Sequence, residues 1–391
     1  MISVLVKQCL VAWVGTGLGQ EPQAPLPSPA GSTRAALARV PEMIETGVRW
    51  MIDHQNRDGS FGSHHSSRNY ELIAAVPGTH QAYRVACTAL GVLALSDLWE
   101  RLPEDARAGA DRAIDYLLGN YHVRRPNGLE FFNTWSFGYG LHAFGEWLRD
   151  HPEDCRAEAI RAACRDLVRI LPRYQCLDGG FTYLDFDLMS MPPSSSGMSF
   201  TTATVMIGME RARAAGIEVP QVMIDKAVKH LLRSRIPKGS FLYGEYLKER
   251  PLMGINDIKG SACRNPANEY ALGLCGSPIA AARRIQSLED LLVRHTRFQR
   301  VASRRPVPHE SWYSISGYFY LYGHAYAAYA LEEMPEEVQE RLWAPLVEAL
   351  LWCREPDGSY WDYPVYSYHK AYGTAFALIA LSRVPTPEAA H

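Results

Sequence analysis

The sequence predicts an all-α fold, an (α/α)6 toroid of six helical hairpins, on three observations. A glycine turn recurs as Asp58-Gly59-Ser60-Phe61-Gly62, Asp178-Gly179-Gly180-Phe181, Lys238-Gly239-Ser240-Phe241 and Asp357-Gly358-Ser359-Tyr360, with a weaker copy at Asn127-Gly128-Leu129-Glu130-Phe131. An amphipathic stretch with apolar residues at three- and four-residue spacing precedes the clearest turns. A stretch rich in Gly, Ala, Ser, Thr and aromatics, almost free of charge, follows each of them. A helix apolar or small on every side must be buried on every side. Self-similarity at this period is the mark of a repeat architecture.

The outer helices are expected at Met43–Gln55, Ala108–Tyr121, Ile160–Tyr174, Val222–Ile236 and Val338–Cys353. Glycine takes the positive φ that ends each helix, and Asp or Asn closes the turn through its side chain. Pro345 predicts a kink or a late start in the last outer helix. The inner helices are expected at Thr79–Leu98, Thr134–Leu148, Ser199–Ala214, Pro266–Cys275, Ser314–Leu331 and Ser367–Leu381. Their starts lie roughly 50 to 70 residues apart. The fourth is short, and the fifth turn, near Glu310 to Trp312, lacks the glycine signature. Six pairs can close into a ring, which removes the need for the capping repeats of an open solenoid.

The chain has 391 residues, 47% hydrophobic and 21% charged, with a formal net charge of −2. It can bury a large core, and its balanced charge gives no electrostatic case for nucleic acid. The Arg-rich stretch Arg297 to Arg305 reads as solvated surface. Residues 1–19 are mostly apolar and read as a possible signal peptide, residues 20–34 as a Pro-rich linker, and residues 35–385 as one toroid domain. That reading makes the protein exported, and cytoplasmic if the leader does not function. No other apolar run reaches membrane-spanning length. The eight cysteines form no CxxC pair, so most are expected as small buried hydrophobes.

The turn segments resemble the QW repeats of squalene and oxidosqualene cyclases, with Gln55-Asn56-Arg57-Asp58-Gly59-Ser60-Phe61-Gly62 the nearest match. The closing segment from Tyr368-His369-Lys370-Ala371-Tyr372-Gly373 to Leu381 resembles the last inner helix of a prenyltransferase β subunit. The resemblance to the terpenoid cyclase and protein prenyltransferase superfamily covers roughly residues 40 to 385. It implies the toroid and a central cavity for an isoprenoid-like ligand.

The chemistry such a resemblance implies is incomplete here. Squalene-type cyclases protonate an alkene with a DxDD motif, which needs a carboxylic acid kept protonated and strongly acidic. The sequence has no DxDD; the nearest approach is Asp185-Phe186-Asp187, in the loop after the third turn. Protein prenyltransferases hold zinc with Asp, Cys and His. His369 matches the histidine position, but Tyr313-Ser314-Ile315-Ser316-Gly317-Tyr318 stands where Asp-x-Cys should, so His369 reads as a hydrogen-bonding residue at a helix start. The thioester motif of complement-like toroids is absent. Neither a metal nor a cofactor is implied, and His64-His65 lacks partner ligands nearby.

The starts of the inner helices rim one mouth of a toroid. They contribute His80, Tyr83, Trp135, Tyr139, Phe200, Thr201, Tyr270, Tyr318, Tyr320, Tyr368 and His369, with His142 and His324 deeper. A cup of Tyr, Trp and His suits isoprenoids through aromatic faces, or sugars through stacking and hydroxyl bonds. The same residues can instead fill the ring. The leading expectation is a toroid binding a hydrophobic or amphipathic small molecule, a terpene cyclase- or prenyltransferase-like enzyme if it is catalytic. The alternatives are an exported carbohydrate-active enzyme, for which Glu130, Glu310 and Asp362 are the candidate carboxylates, and a non-catalytic scaffold.

Overall fold

The computed structural model describes residues 30–63, 77–124, 132–183, 196–277 and 279–385. Twelve helices alternate between an outer and an inner layer. The outer ones are α1 (Val40–Asp53), α3 (Glu104–Asn120), α5 (Ala157–Ile170), α7 (Gln221–Ser234), α9 (Ala281–Glu289) and α11 (Glu336–Trp352). The inner ones are α2 (Pro77–Asp97), α4 (Asn133–Asp150), α6 (Ser199–Ala214), α8 (Asn265–Leu274), α10 (Tyr320–Glu332) and α12 (Ser367–Ser382). Each inner helix packs on its two inner neighbours, and α12 returns to pack on α2 and α1, so the ring closes. Among the described residues the β structure is confined to isolated bridges.

Composition explains the layering. The inner helices are buried nearly end to end, α4 from Asn133 to Leu148 with Trp135 as the partly accessible exception. Small residues let them approach closely: a Cβ on Gly208 of α6 would lie 2.3 Å from the Gly138 carbonyl of α4. The outer helices bury one stripe each, as α5 does with Ile160, Ala163, Cys164, Leu167 and Val168.

The glycine turns are the joints of the ring. Each projects under the next outer helix, which a side chain would prevent: a Cβ on Gly179, at φ +90°, would lie 2.6 Å from the Lys226 carbonyl of α7. The last turn sits the same way on α1, where Arg354 bonds Thr46 at 2.9 Å. The glutamine before the turn bonds across the joint, Gln55 to the Gly109 carbonyl at 2.8 Å and Gln175 to the Met223 carbonyl at 3.0 Å. The amide of the turn aromatic donates to a threonine on the following inner helix, Phe61 to Thr88, Phe181 to Thr202 and Tyr360 to Thr374. Gly179→Ala is therefore expected to cost about 3 kcal/mol, left-handed strain plus clash, in urea unfolding. A loss under about 1 kcal/mol would mean that the joint yields without strain.

Three local expectations are corrected. α11 starts at Glu336 and runs through Pro345, because one lost backbone bond is outweighed by the buried stripe of Leu342, Trp343, Leu346 and Val347. α10 starts at Tyr320, not Ser314; Ser314 has φ +49°, and Tyr318 lies on a tight turn, Gly317–Phe319, ahead of the helix. A helix, Ala30–Leu37, already forms within the stretch read as linker, and it packs on α11. Of the cysteines, Cys87, Cys164, Cys176, Cys263 and Cys353 are buried thiols, Cys275 is half-buried and Cys155 exposed. No helix among the described residues is long and apolar enough to cross a membrane. The leader, His64-His65, Glu130, Asp185 and Asp187 lie outside the described residues.

Candidate functional site

The interior of the ring has three storeys. At mid-depth Tyr139 of α4, Thr204 of α6, Tyr322 and Tyr326 of α10 and Phe376 of α12 meet on the axis, all buried. Tyr139 lies 6.1 Å from Phe376, ring to ring, and Thr204 shares a hydrogen bond with Tyr322 at 3.3 Å. Tyr322 donates to the Phe200 carbonyl at 3.1 Å. α4 and α10 stand on opposite sides of the ring, so this cluster closes the toroid at its waist.

Below the waist lies a paired-charge layer. His142 sits 6.0 Å from Tyr329 and 3.8 Å from Glu146. Tyr270 stacks on Tyr329 at 5.2 Å and accepts from Arg211, which also pairs with Glu146 at 3.0 Å. Arg383 lies 3.7 Å over the Tyr329 ring and pairs with Asp97. Burial, with Arg211 and Arg383 beside it, holds the His142 imidazole well below its ordinary range, so it is neutral. Tyr270 and His142 thus belong to the far end of the ring and not to the rim with Tyr83 and Tyr368.

Above the waist the aromatics form a closed collar. Tyr83 stacks on Tyr368 at 4.4 Å and 12° and meets Phe132 at 4.6 Å. The contacts continue through Phe132–Tyr183 at 5.1 Å, Tyr183–Phe200 at 5.9 Å and Phe200–Phe319 at 4.8 Å. Tyr318 links Phe319, at 4.5 Å, to Tyr363, at 5.3 Å. His369 closes the circle, 5.1 Å from Tyr363 and 4.8 Å from Tyr368. Trp135 packs on Phe132 and Tyr183 at 5.0 Å each, and His80 meets Tyr366 edge-on at 5.6 Å. Tyr83, Trp135, Tyr183 and Tyr318 of this collar stay partly accessible. Phe132 holds φ +69°, a strained conformation for a bulky residue, and this sets its ring between Tyr83 and Tyr183.

The polar groups of the collar differ in what they are free to do. His369 Nδ1 accepts the Tyr366 amide at 3.2 Å, and the ring also bonds the Tyr363 backbone. Burial pushes its pKa down to about 3, so it is a neutral brace of the α12 start. His324 and Tyr320 point the other way, toward the outer layer: His324 bonds the Tyr320 carbonyl at 2.7 Å, and Tyr320 donates to Ala349 of α11. Two polar pairs remain at the mouth, the Tyr183 and Tyr243 hydroxyls at 3.0 Å and the Tyr318 hydroxyl with His309 Nε2 at 3.0 Å.

The sequence reading missed Arg264. The residue is 1% exposed, and its guanidinium lies 5.1 Å from the Tyr243 ring and 5.3 Å from the Phe319 ring. It donates to the Ile255 and Gly260 carbonyls at 2.7 Å each, has no carboxylate partner among the described residues, and leaves Nε unbonded. Burial lowers its pKa, the mark of a charge the fold leaves uncompensated. One turn on, Asn265 Oδ1 and both amide atoms of Asn268 are also buried without partners. The signal was an arginine at the mouth of an otherwise apolar helix, in Cys263-Arg264-Asn265-Pro266.

The carboxylates are held elsewhere. Asp362 is fully buried, accepts the Leu321 amide at 2.8 Å through one oxygen and leaves the other unbonded. Burial pushes its pKa up to about 7. Glu310 pairs with Arg305 at 3.0 Å.

Asp178, His230 and Glu245 also converge, with ligand-type atoms within 4.8 Å of one another. His230 Nδ1 lies 3.4 Å from Asp178 and 3.1 Å from Glu245, and Arg233 grips both Glu245 oxygens at 2.9 Å. Arg233 holds the Glu245 carboxyl below its usual range. In the first and last turns the matching aspartates pair instead with Arg84 and Lys370. Gly180 replaces the serine of those copies because a Cβ there would lie 2.7 Å from the His230 ring. The trio ties turn to loop, and Arg233 balances one of its two carboxylates, that of Glu245.

No family model matches the sequence, and no curated protein does. The fold is nonetheless shared with solved structures. The type II terpene cyclase MstE from Scytonema, in complex with geranylgeranyl dihydroxybenzoate, superposes with a TM-score of 0.50 at 13% identity, over 90% of this chain and 98% of that one. The α-1,6-mannanase GH76A of Salegentibacter sp. HEL1_6, in complex with α-1,6-mannotetrose, gives 0.56 at 9% identity, over 88% and 98%. A possible member of the GH105 family from Klebsiella pneumoniae subsp. pneumoniae gives 0.53 at 12% identity, over 94% and 98%. At these identities the likeness is one of fold, the α/α toroid.

Proposed function

We propose that this toroid binds an elongated, isoprenoid-like amphiphile in the mouth above its waist, the hydrocarbon against the collar and an anionic head toward Arg264. The carrying observation is the closed aromatic collar beside a buried guanidinium that lacks a carboxylate. Aromatic faces complement unsaturated chains and cations formed on them. An uncompensated buried charge favours the ligand that neutralises it. A terpene cyclase with the same fold supports this reading. The polar pairs of Tyr183 with Tyr243 and Tyr318 with His309, together with the fold of a mannanase, favour a sugar as the second reading.

Native mass spectrometry on protein from its own host, with extraction of what co-purifies, tests the proposal. The expected result is a stoichiometric isoprenoid-like acid or phosphate. Tyr83→Ala, Trp135→Ala and Tyr368→Ala are each expected to weaken its rebinding about tenfold. Rebinding of mannose oligosaccharides, with no binding of a fifteen-carbon isoprenoid acid, would transfer the site to the sugar reading.

A further inference from the structure

The two ends of the toroid differ in what they show to solvent. Outer helices end, and inner helices begin, at the collar end, so every outer-to-inner loop lies there. Nine large apolar side chains are exposed among the described residues, and all but Val222, at the start of α7, belong to this end. The most exposed sit on two touching loops: Leu252 is 79% exposed, Trp312 74% and Tyr246 50%. The loops meet at Gly254, where a Cβ would come within 2.8 Å of the Trp312 side chain.

Charge at this lip leans to the cationic side, with Glu249 the exposed carboxylate between Lys248 and Arg250. Lys248, Arg250 and Arg297 are exposed and have no carboxylate partner among the described residues. Exposed Trp, Tyr and Leu beside unpaired Lys and Arg are the composition of a segment that lies in a bilayer interface: the apolar side chains enter the acyl boundary and the cations meet anionic headgroups. Scattered single apolar residues need no such account, but their confinement to one end of a molecule does.

We infer that the loops carrying Tyr246, Leu252 and Trp312 dock the collar end onto an anionic lipid surface, with Lys248, Arg250 and Arg297 supplying the attraction. The docking is peripheral, in the plane of the interface, and holds whether or not the collar is filled. It places the mouth against the phase in which an amphiphile would be dissolved.

Co-sedimentation of the full chain with phosphatidylcholine vesicles, with and without about a third phosphatidylglycerol, tests the inference. Binding to the anionic vesicles, weakened by salt, is expected. Lys248→Glu with Arg250→Glu should reduce it at least about tenfold, and Leu252→Ser with Trp312→Ser should abolish it. All four positions are exposed, and circular dichroism and thermal unfolding should match the parent. No sedimentation with either vesicle, or equal sedimentation of parent and variants, overturns the inference. Light scattering that shows a dimer dispersed by Leu252→Ser with Trp312→Ser, with no vesicle binding, assigns the lip to a second copy instead. These vesicles carry no isoprenoid, so the result is independent of whether the collar binds one.

Discussion

Arg264→Met is expected to weaken binding of a fifteen-carbon isoprenoid acid about 100-fold while changing the affinity for the matching alcohol less than about threefold. A buried charge-assisted pair lost on one side costs about 3 kcal/mol, which is that factor. The alcohol has the same chain against Tyr83, Trp135 and Tyr368 but no charge to present. Arg264→Lys keeps the cation, loses the planar fork that reaches the Ile255 and Gly260 carbonyls, and should fall between the two. Calorimetric titration of both ligands against both variants reads the head-group preference directly. Equal losses for acid and alcohol would show that Arg264 only shapes the collar through Tyr243 and Phe319. In the empty protein the same change removes an unpaired buried charge, so unfolding in urea should cost far less than the 3 to 5 kcal/mol typical of breaking a buried ion pair.

Asp362→Asn is expected to stabilise the protein above pH 7, by about 4 kcal/mol at pH 8. Burial raises the Asp362 pKa from the ordinary carboxylate value of 3.8 to about 7. A group with a raised folded-state pKa contributes stability that is fully present below its unfolded pKa and is lost as pH rises through the folded one. The window therefore runs from about pH 4 to pH 7. Asn cannot ionise and still offers an oxygen to the Leu321 amide, so the variant escapes that loss. Urea unfolding of parent and variant at several pH values should give a difference that shrinks steadily on acidification and vanishes near pH 4. The buried histidines, whose depressed pKa values weaken the fold as pH falls, cancel in this comparison. A pH-independent difference would mean that Asp362 is ionised in the folded protein throughout.

The collar was legible only in part. Tyr83, Trp135, Tyr318, Tyr368 and His369 stand at inner-helix starts, where a toroid places its rim. Phe132, Tyr183, Tyr243 and Tyr363, which complete or back the collar, sit on connecting segments whose course depends on the turns beside them. Tyr139 and Tyr270 were placed on the right helices but lie deeper than the rim; His142 lies deep as expected, among paired charges, and His324 faces the outer layer. A helix that is apolar on every side carries no amphipathic phase, so its sequence does not say which residues look at the axis. Arg264 escaped because one arginine among apolar residues has no periodicity to reveal it.

By itself the sequence determined the repeat, the two helix types, their order and the closure of the ring. Each follows from local chemistry: a positive-φ glycine ends a helix, one apolar stripe makes an outer helix, and a lack of charge makes an inner one. Only the tertiary structure decided the waist of tyrosines, the paired charges below it, the guanidinium left unpaired above it and the apolar lip around the mouth. Those depend on distances between residues from different repeats. Such distances are set by how closely six inner helices pack, to which every repeat contributes and which no single one encodes.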